Sequence, residues 1–263
     1  MDNYSNELLE EVLQLKKQKN ALFIAHNYQP DIIQDIADIV GDSLELARRS
    51  KDADSDFIVF CGVYFMAETA KILSKDKKVF LPILDAGCPL ADMITAKDVV
   101  KLKEQHPDAK VVCYVNSSGE VKAESHVCCT SANAVRVVQN IPDNKVIFIP
   151  DQNLGHYVST QVHKEIIIWP GYCSTHHRLT KEEVVNCKKM YPKAKFVAHP
   201  ECNHQVLELA DFITSTSGML KFVKQDNADE FIIGTEQGLL HRLRKENPDK
   251  KFHLAGPRLI CPN

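Results

Sequence analysis

Short apolar runs alternate with longer amphipathic stretches along most of this chain. The segments ALFIA (21–25), DFIVF (56–60) and KVFLPIL (78–84) have the length and composition of buried strands. The segments AETAKILSK (67–75) and AKDVVKLKEQH (96–106) place apolar residues at helical spacing. Strands and helices that alternate in this way predict a parallel α/β architecture.

The pattern also repeats along the chain, with a period of roughly 85 residues. The segment ADIVGDS (37–43) resembles ADFITST (210–216), and SHVCCTS (125–131) lies between them. Each copy places a hydroxyl residue after a short strand, at the expected start of a helix. The three hydroxyl residues are Ser43, Ser131 and Thr216.

Other strand ends recur with the same period. In each copy the first strand ends beside a polar residue, and the fourth strand leads to a cysteine. Ligand sites of parallel sheets form beyond the carboxyl ends of the strands, so three copies around a pseudo-threefold axis would direct these side chains into one cavity. The polar residues are His26, Asn116 and His199, and the cysteines are Cys88, Cys173 and Cys261.

The repeat therefore predicts three pseudo-threefold-related α/β/α units, each with a small parallel sheet, around a central active site. Their predicted bounds are 1–88, 89–173 and 174–263. The alternative is a tandem repeat whose units face apart, in which case the cysteines match by coincidence.

Composition and charge narrow the possible function classes. The 263 residues carry a net charge of −3 without a basic stripe, which disfavours nucleic-acid binding. No apolar run approaches the roughly 20 residues of a membrane span. The N-terminal stretch is polar and amphipathic and lacks the features of a signal peptide. We expect a soluble, cytoplasmic protein that does not bind membranes.

The nine cysteines raise the question of metal binding. An odd number of thiols in a reducing cytoplasm is not a disulfide framework. Thiolates select iron–sulfur clusters, zinc or copper, and structural zinc usually takes four ligands in close pairs. Three converging cysteines would instead leave one iron of a [4Fe–4S] cluster open as a Lewis acid, suited to dehydration or condensation. The others are expected to be apolar filling, with Cys61, Cys113 and Cys128 in the core and Cys187 on a helix.

The other converging residues suit anionic ligands. The three hydroxyl residues are expected to cap helix N-termini, where backbone amides and the helix dipole bind phosphate or carboxylate; their more ordinary role would be capping alone. Two histidines could bind carboxylate or move protons, and one carboxylate could act as a general acid or base. These three residues are His26, His199 and Glu201.

Two competing interpretations remain at this stage. The first is a zinc-dependent hydrolase that uses Cys173, His176 and His177. The second is an iron–sulfur redox sensor, which requires a fourth cysteine ligand. A dinucleotide-binding protein is disfavoured, because neither glycine-rich phosphate motif is present.

Several longer motifs resemble the quinolinate synthase family, the A protein of bacterial and archaeal NAD biosynthesis. Together they run from residue 25 to the end of the sequence and are highly specific. They include AHNYQ (25–29), GDSLELA (41–47), CGVYFMAETAKIL (61–73), DAGCPLADM (85–93), YVNSSGEVKA (114–123), WPGYCSTHHRLT (169–180), AHPEC (198–202) and GTEQGLLHRL (234–243).

The resemblance implies that iminoaspartate and dihydroxyacetone phosphate condense to quinolinate, with loss of phosphate and two waters. It implies the threefold fold, a [4Fe–4S] cluster, and a functional link to an aspartate-oxidising enzyme. It assigns the chemical steps to Tyr28, His199 and Glu201. Cluster ligands map onto Cys88, Cys173 and Cys261, and substrate residues onto His26, Ser43, Tyr114, Asn116, Ser131, His176, His199, Glu201 and Thr216.

The sequence departs from the family pattern in two places. His126 stands where members commonly carry an acidic residue, and we expect it to be peripheral. Members usually continue beyond the position of Asn263 with Met-Lys and a helical segment. We therefore expect the ligand at Cys261 to be less firmly tied down in this sequence.

Overall fold

A computed structural model describes residues 3–261 of the chain, without the side chains of 3–5 and Leu44. Three parallel four-stranded sheets form, one in each repeat. In each sheet the first strand of the repeat lies between the second and the third, and the fourth pairs with the third. This identical strand order confirms the predicted α/β class and its three units.

The first repeat has the order β2-β1-β3-β4. Its strands are β1 (Ala21–His26), β2 (Ile39–Gly41), β3 (Phe57–Cys61) and β4 (Lys78–Phe80), and its helices are α1 (Asn3–Gln18), α2 (Asp31–Ile36), α3 (Ser43–Asp52) and α4 (Tyr64–Leu73).

The second repeat has the order β6-β5-β7-β8. A 3₁₀ turn at Ala91–Met93 precedes it. Its strands are β5 (Lys110–Tyr114), β6 (Val127–Cys129), β7 (Lys145–Ile149) and β8 (Glu165–Ile168), and its helices are α5 (Ala96–Gln105), α6 (Gly119–Ala123), α7 (Ala134–Gln139) and α8 (Gln152–Gln161).

The third repeat has the order β10-β9-β11-β12. Its strands are β9 (Lys195–Ala198), β10 (Phe212–Ile213), β11 (Glu230–Gly234) and β12 (Lys251–Leu254), and its helices are α9 (Ser174–His177), α10 (Lys181–Met190), α11 (His204–Leu207), α12 (Thr216–Gln225) and α13 (Leu239–Glu246).

The described chain divides into two compact units. The first ends at Gly87 and contains the first sheet, and the second begins at Cys88 and contains the other two. All three predicted cluster cysteines therefore belong to the second unit. The predicted unit bounds at residues 88 and 173 stay a prediction.

One residue ties the first two strands of every repeat together. This residue directly precedes the second strand. Its side chain accepts a hydrogen bond from the backbone N–H of a first-strand residue, and its own N–H donates to the carbonyl of that same first-strand residue. The acceptors are Asp38 for Phe23 (2.8 Å), the Nδ1 atom of His126 for Val111 (2.9 Å) and Asp211 for Phe196 (2.7 Å). His126 is exposed, as expected, but it serves as a structural equivalent of the two aspartates.

Two predicted features of the strands differ from the structure. The strand expected over 78–84 ends at Phe80, because Pro82 has no N–H for a sheet hydrogen bond. Ile83 and Leu84 are accordingly exposed. The prediction that Cys128 fills the core is wrong: β6 is an edge strand, and Cys128 is exposed on it.

The other expectations for these thiols hold. Cys61 and Cys113 are buried, and Cys187 lies on α10. Among the described helices, none combines the length and the apolar character that crossing a bilayer requires.

Candidate metal and substrate site

A buried carboxylate and two histidines form the centre of the candidate site. Glu201 follows β9, and its Oε2 atom lies 2.9 Å from Nδ1 of His176 and 3.2 Å from Nδ1 of His199. The two imidazole rings stack with centroids 4.6 Å apart. Burial raises the pKa of the Glu201 carboxyl, but the charges and hydrogen bonds of the two histidines outweigh it and hold that pKa below its ordinary value. The site therefore keeps a buried carboxylate ionised.

The second carboxylate oxygen of Glu201 indicates a bound ligand or water. Oε1 is buried and has no hydrogen-bond partner within the described part of the chain. Asn116, just beyond β5, has a buried Oδ1 atom in the same condition. Buried acceptors in native proteins are almost always satisfied, so both atoms indicate a ligand or water that carries donor groups.

Cys173 is held at this centre by its backbone. It precedes α9, and its N–H donates to the Asp151 carboxylate at 2.9 Å. The other oxygen of Asp151 caps α8 by accepting the N–H of Leu154 at 2.7 Å. The Cys173 sulfur then lies 3.2 Å from Nδ1 of His176. The position of this thiol is thus linked to both a helix cap and the Glu201 centre.

The other two predicted ligands belong to the same electrostatic neighbourhood. Burial raises the pKa of the Cys88 thiol to about 12, and the charges of Glu201 and Cys261 add to this rise. Burial also raises the pKa of Cys173 well above its ordinary value, with contributions from Glu201 and Cys88. Electrostatic interactions thus link the three thiols, whose loops follow three different sheets.

Glu236 positions the loop that carries Cys261. Its Oε2 atom accepts the N–H of Gly238 at 2.6 Å, and its Oε1 atom accepts the N–H of Cys261 at 3.4 Å. The Thr175 hydroxyl on α9 also donates to the Ile260 carbonyl at 3.5 Å. These bonds tie the third cysteine to the element that follows the second.

The donor set fits a thiolate-bound metal group. Two of the thiols, Cys88 and Cys173, have raised pKa values and are neutral by themselves, and a bound cation is what would stabilise them as thiolates. Leu90 and Ala91 also direct backbone N–H groups at Cys88. These are the surroundings that cysteine-bound iron–sulfur groups use.

The zinc interpretation needs a correction. Within the described residues, the Cys, His, Asp and Glu side chains that could share one metal ion are Cys173, His176 and Glu201, whose ligand atoms all lie within 4.8 Å of one another. His177, the predicted third ligand, has its Nδ1 atom 3.0 Å from the Asn153 amide instead.

The predicted anion residues are not helix caps. Asp42 caps α3, Asn133 stands at the cap position of α7, and Ser215 caps α12. Ser43 and Thr216 are the first residues inside their helices, and Ser131 lies two residues before the cap position of α7. The prediction that these three hydroxyls cap their helices is therefore wrong, since a neighbour holds each cap position.

Two of these helix starts line a common cleft of about 440 Å³. Ser131 lies on one side, and Ser215 and Ser217 lie on the other. Arg136 and Lys221 contribute positive charge to its walls. Tyr114 and Thr216 are both buried at their strand and helix ends.

The remaining predicted residues lie in the first unit. His26 ends β1, its Nδ1 atom accepts the N–H of Tyr28 at 3.3 Å, and the two rings contact edge to face at 4.4 Å. The Glu201 N–H lies 3.4 Å from Nδ1 of His199 in the corresponding contact, so Tyr28 and Glu201 occupy equivalent positions. Whether His26, Tyr28 and Ser43 meet the residues of the second unit stays a prediction.

Sequence reasoning missed four residues of the site. These residues accept or donate the hydrogen bonds that hold the cysteines and histidines in place. Thr235, for example, lies 2.8 Å from Nε2 of His176. The repeat was the available signal, because these residues follow the third strands of their repeats. The missed residues are Asp151, Asn153, Thr235 and Glu236.

Comparison with known proteins decides the family. A family model described as "Quinolinate synthetase A protein" matches residues 10–263. The chain belongs to the quinolinate synthetase A family. The matched range contains all the predicted site residues, from His26 to Cys261.

Curated relatives agree with membership of the quinolinate synthetase A family. A protein of Pelobacter propionicus is 56% identical over 260 residues, which cover 98% of this chain and 86% of the relative. A protein of Caldicellulosiruptor saccharolyticus is 55% identical over 258 residues, covering 98% and 85%. One of the archaeon Methanosarcina barkeri is 52% identical over 257 residues, covering 98% and 84%. All three relatives are named "Quinolinate synthase".

Proposed function

We propose that this chain condenses iminoaspartate with dihydroxyacetone phosphate to form quinolinate, with loss of phosphate and two waters. Family membership and relatives named for this activity support the reaction. One observation carries the proposal: Cys88, Cys173 and Cys261 share one electrostatic neighbourhood although they follow three different sheets.

The proposed cofactor is a [4Fe–4S] cluster on these three cysteines. A cluster with three thiolate ligands has one open iron, which supplies Lewis acidity for the removal of a hydroxyl group as water. The half-buried thiols and the amides directed at Cys88 support this choice of cofactor.

The residues of the centre would bind and move protons. Glu201 and His199 form a buried acid–base pair at 3.2 Å, suited to proton transfer on the substrate. The buried acceptors Glu201 Oε1 and Asn116 Oδ1 would receive hydrogen bonds from substrate N–H or O–H groups. Tyr28 is proposed to take part from the first unit.

The substrate charges match the remaining residues. Iminoaspartate has two carboxylates, and the triose carries a phosphate. We assign the anion contacts to Ser131 and Thr216, close to helix starts, with His26, Ser43 and Tyr114 as further substrate residues. His176 would contact the substrate beside Glu201.

The proposal also concerns the supply of iminoaspartate and the cellular compartment of the protein. Iminoaspartate is an imine, which water hydrolyses, so an aspartate-oxidising enzyme that delivers it directly would avoid its loss. We place the protein in the cytoplasm, a reducing compartment. The nine cysteines, all in the described chain, are free thiols, as expected there.

The test is anaerobic reconstitution with iron and sulfide, followed by iron analysis, visible absorption and a quinolinate formation assay. We expect a brown protein with about four irons per chain that forms quinolinate. Cys88→Ser, Cys173→Ser and Cys261→Ser should each lose colour and activity. Cys187→Ser, on α10, is the matched control and should keep both.

The trio of Cys173, His176 and Glu201 favours one alternative, a single zinc ion. In that case the purified protein would be colourless with one zinc, and Cys88→Ser would retain it. This result would overturn the cluster. A brown protein that makes no quinolinate from both substrates would overturn the reaction alone.

A further inference from the structure

Two cysteines outside the site face each other across neighbouring strands. Cys113 on β5 and Cys128 on β6 are partners in the parallel register. They precede the next pair of partners, Tyr114 and Cys129, by one residue. The two thiols interact, and each shifts the pKa of the other. Neither residue was given a role by the repeat, the site or the proposed reaction.

The spacing of such partners suits a disulfide. Neighbouring strands lie about 4.8 Å apart, and disulfides join Cα atoms that are about 4.4–6.8 Å apart. Partners in a parallel register also project from the same face of the sheet. Forming the bond therefore needs no rearrangement of the chain path.

Access and reactivity differ between the two thiols. Cys128 lies on an edge strand and is exposed, whereas Cys113 is fully buried. The hydrogen bond from Cys113 lowers the pKa of Cys128 to about 7, although burial opposes this, and the charge of Lys122 on α6 contributes. An exposed thiol with a lowered pKa is the nucleophile of such a pair, and its buried neighbour resolves the product.

We propose that Cys113 and Cys128 are an oxidant-sensitive modification site, at which a low-molecular-weight disulfide converts the two thiols into an intrachain disulfide.

The steps balance as a thiol–disulfide exchange. The Cys128 thiolate attacks one sulfur of the reagent RSSR, which forms a mixed disulfide and releases one thiolate RS⁻. Cys113 then loses its proton and attacks the Cys128 sulfur, which forms the Cys113–Cys128 bond and releases the second RS⁻. The cysteines lose two protons and two electrons, and RSSR becomes two RSH.

The surroundings support the second step. The first cause of the raised pKa of Cys113 is its hydrogen bond with Cys128, followed by burial. That first cause disappears once the Cys128 thiolate has reacted. The Ser117 hydroxyl, 3.4 Å from the Cys113 sulfur, lowers the pKa of this thiol. This disulfide proposal does not depend on the proposed quinolinate reaction, because the experiment detects a covalent cross-link and not enzyme activity.

The test uses cluster-loaded protein, so that the proposed ligand cysteines are occupied. Glutathione disulfide is added anaerobically, remaining thiols are blocked with iodoacetamide, and the digest is read by mass spectrometry. We expect one cross-linked peptide pair that joins residues 113 and 128, and its reversal by dithiothreitol. Cys113→Ser should stop at glutathione on Cys128, and Cys128→Ser should leave Cys113 unmodified.

Cys129→Ser is the matched control. Cys129 neighbours Cys128 in sequence, but it is buried, and burial raises its pKa. This variant should form the same cross-link as the wild type. A wild-type Cys128 that stays unmodified, or that retains glutathione without reaching Cys113, would refute the proposal.

A second measurement needs no variant. In the native protein, alkylation of Cys128 by iodoacetamide should increase with pH around about 7, while Cys113 and Cys129 stay protected. If Cys128 is alkylated only near the pKa of an ordinary thiol, about 8.5, it is not the reactive thiol and the proposal is contradicted.

Discussion

At the residue scale, His126 carries a backbone contact that an aspartate carries in the other two repeats. Its Nδ1 atom can accept the Val111 N–H only while that nitrogen is unprotonated. Burial and the charges of Lys110 and Lys103 lower the pKa of His126 below 6.5, which favours the neutral ring. The departure from the family pattern thus preserves the contact and makes it sensitive to acid.

Replacing His126 should separate these two properties. His126→Ala leaves the buried Val111 N–H without an acceptor and should cost about 1–3 kcal/mol of the free energy of unfolding, measured in urea. His126→Asp restores the acceptor of the other repeats and should unfold near the wild-type urea concentration. Equal destabilisation by both variants would contradict the assigned contact.

The acid dependence follows from the sign of the pKa shift. A histidine whose pKa is lowered in the folded state contributes its stability above the unfolded pKa of about 6.5 and loses it as the pH falls through the lower folded value. Relative to His126→Asp, the wild type should therefore lose stability below about pH 6.5. If the free energies of unfolding of the two proteins change in parallel with pH, the His126 contact is not the source of the acid sensitivity.

Glu201 offers a second test at this scale. Glu201→Gln keeps the size of the side chain but removes the charge shared by His176 and His199. Quinolinate formation should fall about 100-fold or more, while the iron content stays near four per chain. Exposed Glu208 provides the control Glu208→Gln. Full activity of Glu201→Gln would exclude it as an acid or base.

Single residues were also where the sequence misled most. The hydroxyl series at Ser43, Ser131 and Thr216 marks the helix starts to within three residues, but another residue occupies each cap position. Capping depends on backbone angles at one residue, and a repeat pattern does not resolve a shift of one or two positions.

At the scale of elements, Asp151 joins the start of α8 to the loop of Cys173. Asp151→Ala should lose a helix cap and release this loop, lowering both stability and iron retention. Thr95→Ala removes the cap of α5, which has no such link, and should cost about 1 kcal/mol with full iron content. Thermal unfolding and iron analysis of both variants test this. Equal iron content would show that Asp151 only caps.

Strand neighbours explain which element predictions succeeded. Apolar runs such as DFIVF gave strands within one residue of β3. The same reasoning placed Cys128 in the core, because a run of residues does not reveal that β6 lies at the sheet edge. Whether a strand lies at the edge or in the centre of a sheet depends on pairing between distant segments. A single sequence does not reveal this pairing.

At the scale of the molecule, the repeat was predictable because it is written in the sequence as spaced motifs. The structure adds a further repeated feature, a lysine immediately before the fourth strand that donates to a loop carbonyl. These lysines and acceptors are Lys77 with Ala53, Lys164 with Ile141, and Lys250 with Asp226. Lysine is too common at surfaces for its spacing to be noticed without the fold.

Loss of the proposed cluster should affect the two units differently. The three ligands belong to the second unit, so removing iron with a chelator should increase amide hydrogen exchange in peptides around Cys173 and Cys261. Peptides of β1 and β3 in the first unit should exchange as before and serve as the internal control. An equal increase in both units would argue against a cluster held by these cysteines.

The order of the cysteine loops has a consequence for biosynthesis. Each thiol follows the last strand of its repeat, so the three arrive one at a time as the polypeptide leaves the ribosome. Earlier repeats present one or two unpaired thiols for as long as translation continues. Assembly factors that deliver iron and sulfide would therefore act only after the third repeat has emerged, and newly made protein should pass through a colourless precursor.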